Sequence, residues 1–180
     1  MTTIHTDQKA VPARWSVERE QSSVDFEIKT FWGLATVRGR FHRFEGTYEL
    51  GADGTTIRLA LDVDSLDTGN AKRDHHLRAE DFFHLREHPE VYFTSTRVVP
   101  AVDGMLLVEG DLEAAGKVVP LAFTATLEQV EGGLQITAST QTDPRQFGMS
   151  SGTLGMIRPS VTLSVTARLT EEKPAVEAAA

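Results

Sequence analysis

The sequence predicts an all-β protein, an eight-stranded antiparallel barrel with a short helical insert between strands. Three observations carry this. Apolar and polar residues alternate at period 2 in one segment after another, the mark of strands with one buried face. Turn residues at Gly51 to Gly54, Asp103-Gly104, Ala115-Gly116 and Glu131 to Gly133 separate neighbouring segments, which suits hairpins between sequential strands. About eight strands, each apolar on one side only, must close on themselves or split into a sandwich to remove their edges.

Taken in order, Trp15 to Val17 opens the pattern, and Val24, Phe26 and Ile28 then alternate with Asp25, Glu27 and Lys29. Val37, Gly39 and Phe41 oppose Arg38, Arg40 and His42, and Ile57, Leu59, Leu61 and Val63 oppose Thr56, Arg58 and Asp62. From about 68 to 88 the period breaks. Asn70 stands as an N-cap, Leu77, Phe82, Phe83 and Leu85 are apolar, and Pro89 stops a helix at its predecessor, so one or two short helices are expected. Strands resume at Val91 to Val99, at Leu106, Val108, Gly110 and Leu112, and at Val119, Leu121, Phe123, Ala125 and Leu127. Leu134, Ile136 and Ala138, then Val161, Leu163, Val165, Ala167 and Leu169, complete eight or nine strands in an antiparallel meander. Residues 1–13 are expected to be a flexible lead, 14–170 one barrel domain and 171–180 a disordered tail.

An eight-stranded barrel is wide enough either to be filled by its own side chains or to hold one small ligand. Gly39, Gly110, Ala125, Ala138 and Ala167 put small residues at inward positions, and on that ground the sequence predicts a lumen. The alternative is that small residues merely accommodate large neighbours.

Composition narrows the chemistry. The 180 residues include no Cys, which excludes thiolate nucleophiles, CxxC redox pairs and Cys-based metal sites. With 18 Lys and Arg against 26 Asp and Glu, the formal net charge is −8, unlike the clustered cations that nucleic-acid binding draws on. No window approaches the ~18 apolar residues of a spanning helix. The first 14 residues lack the apolar core of a secretory signal, so a cytoplasmic location is expected.

The run Ser65-Leu66-Asp67-Thr68-Gly69-Asn70, with Arg73-Asp74, His76-Leu77-Arg78, Asp81-Phe82-Phe83, Pro89 and Phe93-Thr94-Ser95-Thr96, resembles the central signature of the YceI-like family. Supporting pieces are Trp15-Ser16-Val17, Ser23-Val24-Asp25-Phe26, Val37-Arg38-Gly39-Arg40-Phe41 with Phe44 and Gly46, and Phe147-Gly148-Met149. The resemblance covers about residues 14 to 170. It implies a lipocalin-like barrel with a helical insert, whose apolar lumen binds polyisoprenoid or similar lipid chains without a metal or catalytic residues. The chain departs from the family at Glu18-Arg19-Glu20-Gln21, at Thr30-Phe31-Trp32-Gly33 and at Leu112 to Leu121.

Two motifs look catalytic. Gly148-Met149-Ser150-Ser151-Gly152 matches the GxSxG nucleophile elbow, but no Asp or His follows Ser150 to complete a triad, so a Gly-rich loop at the barrel mouth is the expectation. His84-Leu85-Arg86-Glu87-His88 matches H-x-x-E-H. On a helix it would place two imidazoles on one face with Glu87 as base toward a metal-bound water, although Pro89 puts His88 at the helix end.

The leading expectation is a noncatalytic protein that binds, sequesters or transports an elongated apolar lipid, with no cofactor and no metal. The predicted lumen is Phe26, Ile28, Phe41, Leu59, Leu61, Phe93, Leu106, Val108, Leu121, Phe123, Ile136, Leu163 and Val165, and the predicted mouth Phe31, Trp32, Phe147, Met149 and Met156. Arg38, Arg40 and Arg43 could offer bidentate bonds to an anionic headgroup, the alternative being a solvated strand face. The expected partner is the lipid, with no nucleic acid and a homodimer left open. The rivals are a metal-dependent hydrolase using His84, Glu87 and His88, and a filled barrel serving as a stress-related interaction module.

Overall fold

The computed structural model describes residues 12–30, 35–149 and 160–172, in which the alternating segments form one antiparallel sheet. Its strands are β1 (Ala13–Val17), β2 (Ser23–Thr30), β3 (Ala35–Phe41), β4 (Phe44–Gly51), β5 (Gly54–Asp62), β6 (Leu66–Asp67), β7 (Glu90–Pro100), β8 (Met105–Ala114), β9 (Lys117–Val130), β10 (Gly133–Thr142) and β11 (Val161–Glu171). Eight of them close a ring in the order β1-β4-β5-β7-β8-β9-β10-β11, and β11 returns to β1. No described helix is long and apolar enough to cross a membrane.

The remaining strands are continuations of three ribbons bent at one corner. β1 and β2 lie end to end along the same edge of β11, Val17 facing Leu169 and Ser23 facing Thr166. β3 runs into β4 through His42-Arg43, and β5 into β6 through a 3₁₀ turn, Val63–Ser65. Between the pairs Ser16–Thr47 and Val24–Phe41 the first ribbon therefore advances two residues more than its partner, and a second two-residue excess separates Phe44–Leu61 from Phe41–Leu66. Such bulges bend a sheet and increase its twist.

A serine clips each bend. Ser22 Oγ donates to the Glu18 carbonyl at 2.6 Å and accepts the Arg168 N–H at 2.9 Å. Ser65 Oγ donates to the Asp62 carbonyl at 2.7 Å and accepts the Arg43 N–H at 2.9 Å. At each corner a side chain serves backbone groups that the interrupted ladder leaves without a strand partner.

The insert is shorter in helix than the sequence predicts. α1 covers Ala71–Leu77, with Asn70 Oδ1 accepting the Lys72 and Arg73 N–H groups at 3.1 Å. The Ala79 carbonyl then takes the N–H groups of Phe82 and His84 at 3.1 and 2.9 Å, which breaks the helical ladder, and residues 78–88 proceed in turns. Asp74, buried, accepts from Thr68, whose carbonyl and hydroxyl receive Arg73 at 2.9 and 2.8 Å, while Arg78 reaches the carbonyls of Asp64 and Leu66 at 2.8 and 2.6 Å. The Asp-Thr-Gly-Asn and Arg-Asp pieces of the signature thus tie the insert to the bent corner.

Candidate functional site

Strand direction places the insert, Ala115-Gly116 and the 3₁₀ turn Pro144–Phe147 at one end of the barrel, and the turns at 51–54, 101–104 and 131–133 at the other. Between them lies an internal apolar cavity of about 120 Å³. Nine of the predicted lumen residues border it: Phe41, Leu59, Leu61, Phe93, Leu121, Phe123, Ile136, Leu163 and Val165.

Phe26, Ile28, Leu106 and Val108 are not at its wall. Phe26 lies across Gly39, its partner on β3, so that a Cβ at Gly39 would come within 2.2 Å of the end of the Phe26 ring. Phe93 likewise covers Gly110, where a Cβ would come within 2.6 Å of both the ring and the Thr94 carbonyl oxygen. These two glycines make no room in the lumen, because neighbouring rings occupy it. The alanines do: Ala125, Ala138 and Ala167 all border the cavity, Ala125 directly opposite Ala138. Leu106 and Val108 are packed solid, and Ile28 sits on the β2 extension between Val37 and Val161.

The sequence reading missed β4 and with it Tyr48, which borders the cavity and stacks tilted on Trp15 at 5.5 Å between ring centres. The signal was present in the alternation Phe44, Gly46, Tyr48, Leu50. Burial pushes the Tyr48 phenol up, and its hydrogen bond with Thr55 partly offsets this. Ile57 and Leu112, on the apolar faces read from the alternation but outside the predicted lumen set, also border the cavity.

Of the predicted mouth, Phe147, which ends the 3₁₀ turn Pro144–Phe147 beside β9, and Met149 are buried in the core rather than forming an open rim. Phe31, Trp32, Met156 and Ser150 lie outside the described residues.

The predicted headgroup arginines are each already paired. Arg38 Nε meets Glu27 at 2.9 Å, Arg40 Nε meets Asp25 at 2.6 Å, and Arg43 Nε meets Asp62 at 2.8 Å. Cross-strand carboxylates thus neutralise the patch, and the solvated-face alternative describes it. The Arg43 hydrogen bond holds the Asp62 carboxyl below its usual range, and the Gly69 N–H does the same for Asp67. His84, Glu87 and His88 do come together, but on a turn and outside the helix.

The fold has solved counterparts. A crystal structure of BcnA from Burkholderia cenocepacia superposes with a TM-score of 0.76 at 19% identity, covering 84% of this chain and 98% of that one. A structure described as a polyisoprenoid binding domain from Saccharophagus degradans gives 0.71 at 15% identity, covering 89% and 98%. In sequence, a UPF0312 protein of Vibrio campbellii is 33% identical over 107 residues, 58% of this chain and 56% of the relative. The chain thus matches about half the length of the curated relatives. The family profile described as YceI-like domain matches residues 15–169, nearly the whole barrel, and the chain belongs to the YceI-like family.

Proposed function

We propose that the barrel binds an elongated apolar lipid of the polyisoprenoid class, without catalysis, to sequester or carry it. The observation that carries this is the internal cavity, walled by the nine aliphatic and aromatic side chains named above and left open where Ala125 meets Ala138. The polyisoprenoid-binding description of the Saccharophagus degradans neighbour supports the choice of lipid class.

Volume sets the mode of binding. A cavity of about 150 Å³ holds benzene, so about 120 Å³ accepts roughly one isoprene unit. Five carbons at about 0.8 kcal/mol per buried CH₂ contribute about 4 kcal/mol, millimolar binding at best. Useful affinity therefore requires the rest of the chain to lie beyond the cavity, toward the end where Phe147 and Met149 sit, with side chains displaced along the way. Native mass spectrometry of gently purified protein tests the reading: a retained polyprenyl mass supports it. Failure to retain any lipid, together with no uptake of an added polyprenol, would overturn it.

A further inference from the structure

The turn that leads into β7 gathers three metal-ligating side chains outside the lumen. His84, Glu87 and His88 each offer one ligand atom, and these atoms lie within 4.8 Å of one another. We propose that these three side chains bind a divalent transition metal, zinc foremost, through two imidazole nitrogens and one carboxylate, leaving a further position to water or an incoming ligand.

The backbone prearranges the group. His84 has a φ of 52°, in the left-handed region that a residue with a side chain adopts only when its surroundings impose it. Its carbonyl accepts the N–H groups of Glu87 at 3.0 Å and His88 at 2.9 Å, an isolated turn that Pro89 prevents from continuing. Residues 84, 87 and 88 consequently project to one side. The His88 ring is seated on Gly116 in the β8–β9 turn, where a Cβ would come within 2.7 Å of its Cε1 and Nε2. One ligand is thus held against the barrel while the Glu87 carboxylate, 69% exposed, is free to swing.

The distances suit a small ion. Tetrahedral zinc with bonds of about 2.1 Å keeps its ligand atoms about 3.4 Å apart. His84 Nε2 and Glu87 Oε1 are already 3.8 Å apart, and the two imidazole centroids 5.7 Å, so side-chain rotation closes the remainder without moving the chain. Two imidazoles and a carboxylate are a donor set that suits zinc, and the exposed side leaves access for a metal from solvent. The site stands independently of the lipid reading.

The test is calorimetric titration of tag-free full-length protein with Zn²⁺, followed by visible spectroscopy with Co²⁺. One equivalent should bind, and Co²⁺ should show the intense d–d bands of a low-coordinate N/O site. His84→Asn, which tolerates the left-handed backbone, and Glu87→Gln should each weaken binding at least about tenfold. His75→Gln, on the exposed face of α1, should leave the titration unchanged. Absence of saturable binding overturns the proposal, as does wild-type affinity in both His84→Asn and Glu87→Gln, which would place the metal elsewhere.

Discussion

Ala125 and Ala138 stand directly opposite each other across the β9–β10 pair, and both border the internal cavity. Flanking inward positions on the same strands carry Phe123, Leu127 and Ile136, so this pairing of two methyl groups is what leaves the hole. Had either alanine fallen one pair along, a large neighbour would face it and the space would close.

Phe at Ala125 or Ala138 tests whether that space can be used. An overpacked solid core loses about 1 to 3 kcal/mol, whereas a ring placed beside a cavity of about 120 Å³ has somewhere to go. Each variant is expected to keep near-native stability in denaturant melts and to lose polyprenol binding, followed by quenching of tryptophan fluorescence. Strong destabilisation of both, in a wild type that binds no polyprenyl compound, would defeat the lipid-carrier reading.

Gly110→Ala should be worse than Gly39→Ala. At Gly39 the obstacles are the ring end of Phe26 and the Thr68 methyl, which can shift, while at Gly110 a Cβ also meets the Thr94 carbonyl oxygen at 2.6 Å. Gly110→Ala is expected to cost about 1 to 3 kcal/mol. It should also drive Phe93 toward the cavity and weaken lipid binding. Equal melting temperatures for the two variants would contradict the geometry.

Ser65→Ala removes the acceptor for the Arg43 N–H in a buried corner. An unsatisfied buried donor costs about 1 to 3 kcal/mol. Hydrogen exchange should show the Arg43 amide among those most strongly accelerated. Unchanged exchange there would mean that water or a neighbour replaces the hydroxyl at no cost.

Acid should weaken the same corner. Asp62 and Asp67 are held below the ordinary carboxylate range, so the fold favours their ionised forms. Their contribution is fully present above the unfolded carboxylate value of about 3.9 and is lost as pH falls through the lower folded values. Stability in denaturant melts should therefore be flat between about pH 7 and 5 and decline below about pH 4, with a shallower decline in Asp62→Asn. Both groups are solvent-accessible, so the effect is small. A loss confined to the interval between about pH 7 and 5 would implicate histidines instead.

The amino-acid sequence alone determined which residues face inward along most strands, where hairpins fall, that Asn70 caps a helix, and that the strands close in sequential order. These follow from local alternation and turn chemistry, which every short segment carries within itself. Its own period 2 also marked β4, although that strand escaped notice. Tertiary structure decided what stands beside each inward residue. Period 2 assigns a face but not a cross-strand partner, and partners depend on register, which here shifts by two residues at each serine-clipped bend. Only register put Ala125 opposite Ala138 to leave a cavity, laid Phe26 over Gly39, and matched Arg38, Arg40 and Arg43 each with a carboxylate. The turn that gathers His84, Glu87 and His88 depended on tertiary structure too, because a left-handed residue there is held by contacts that no helical or strand period encodes.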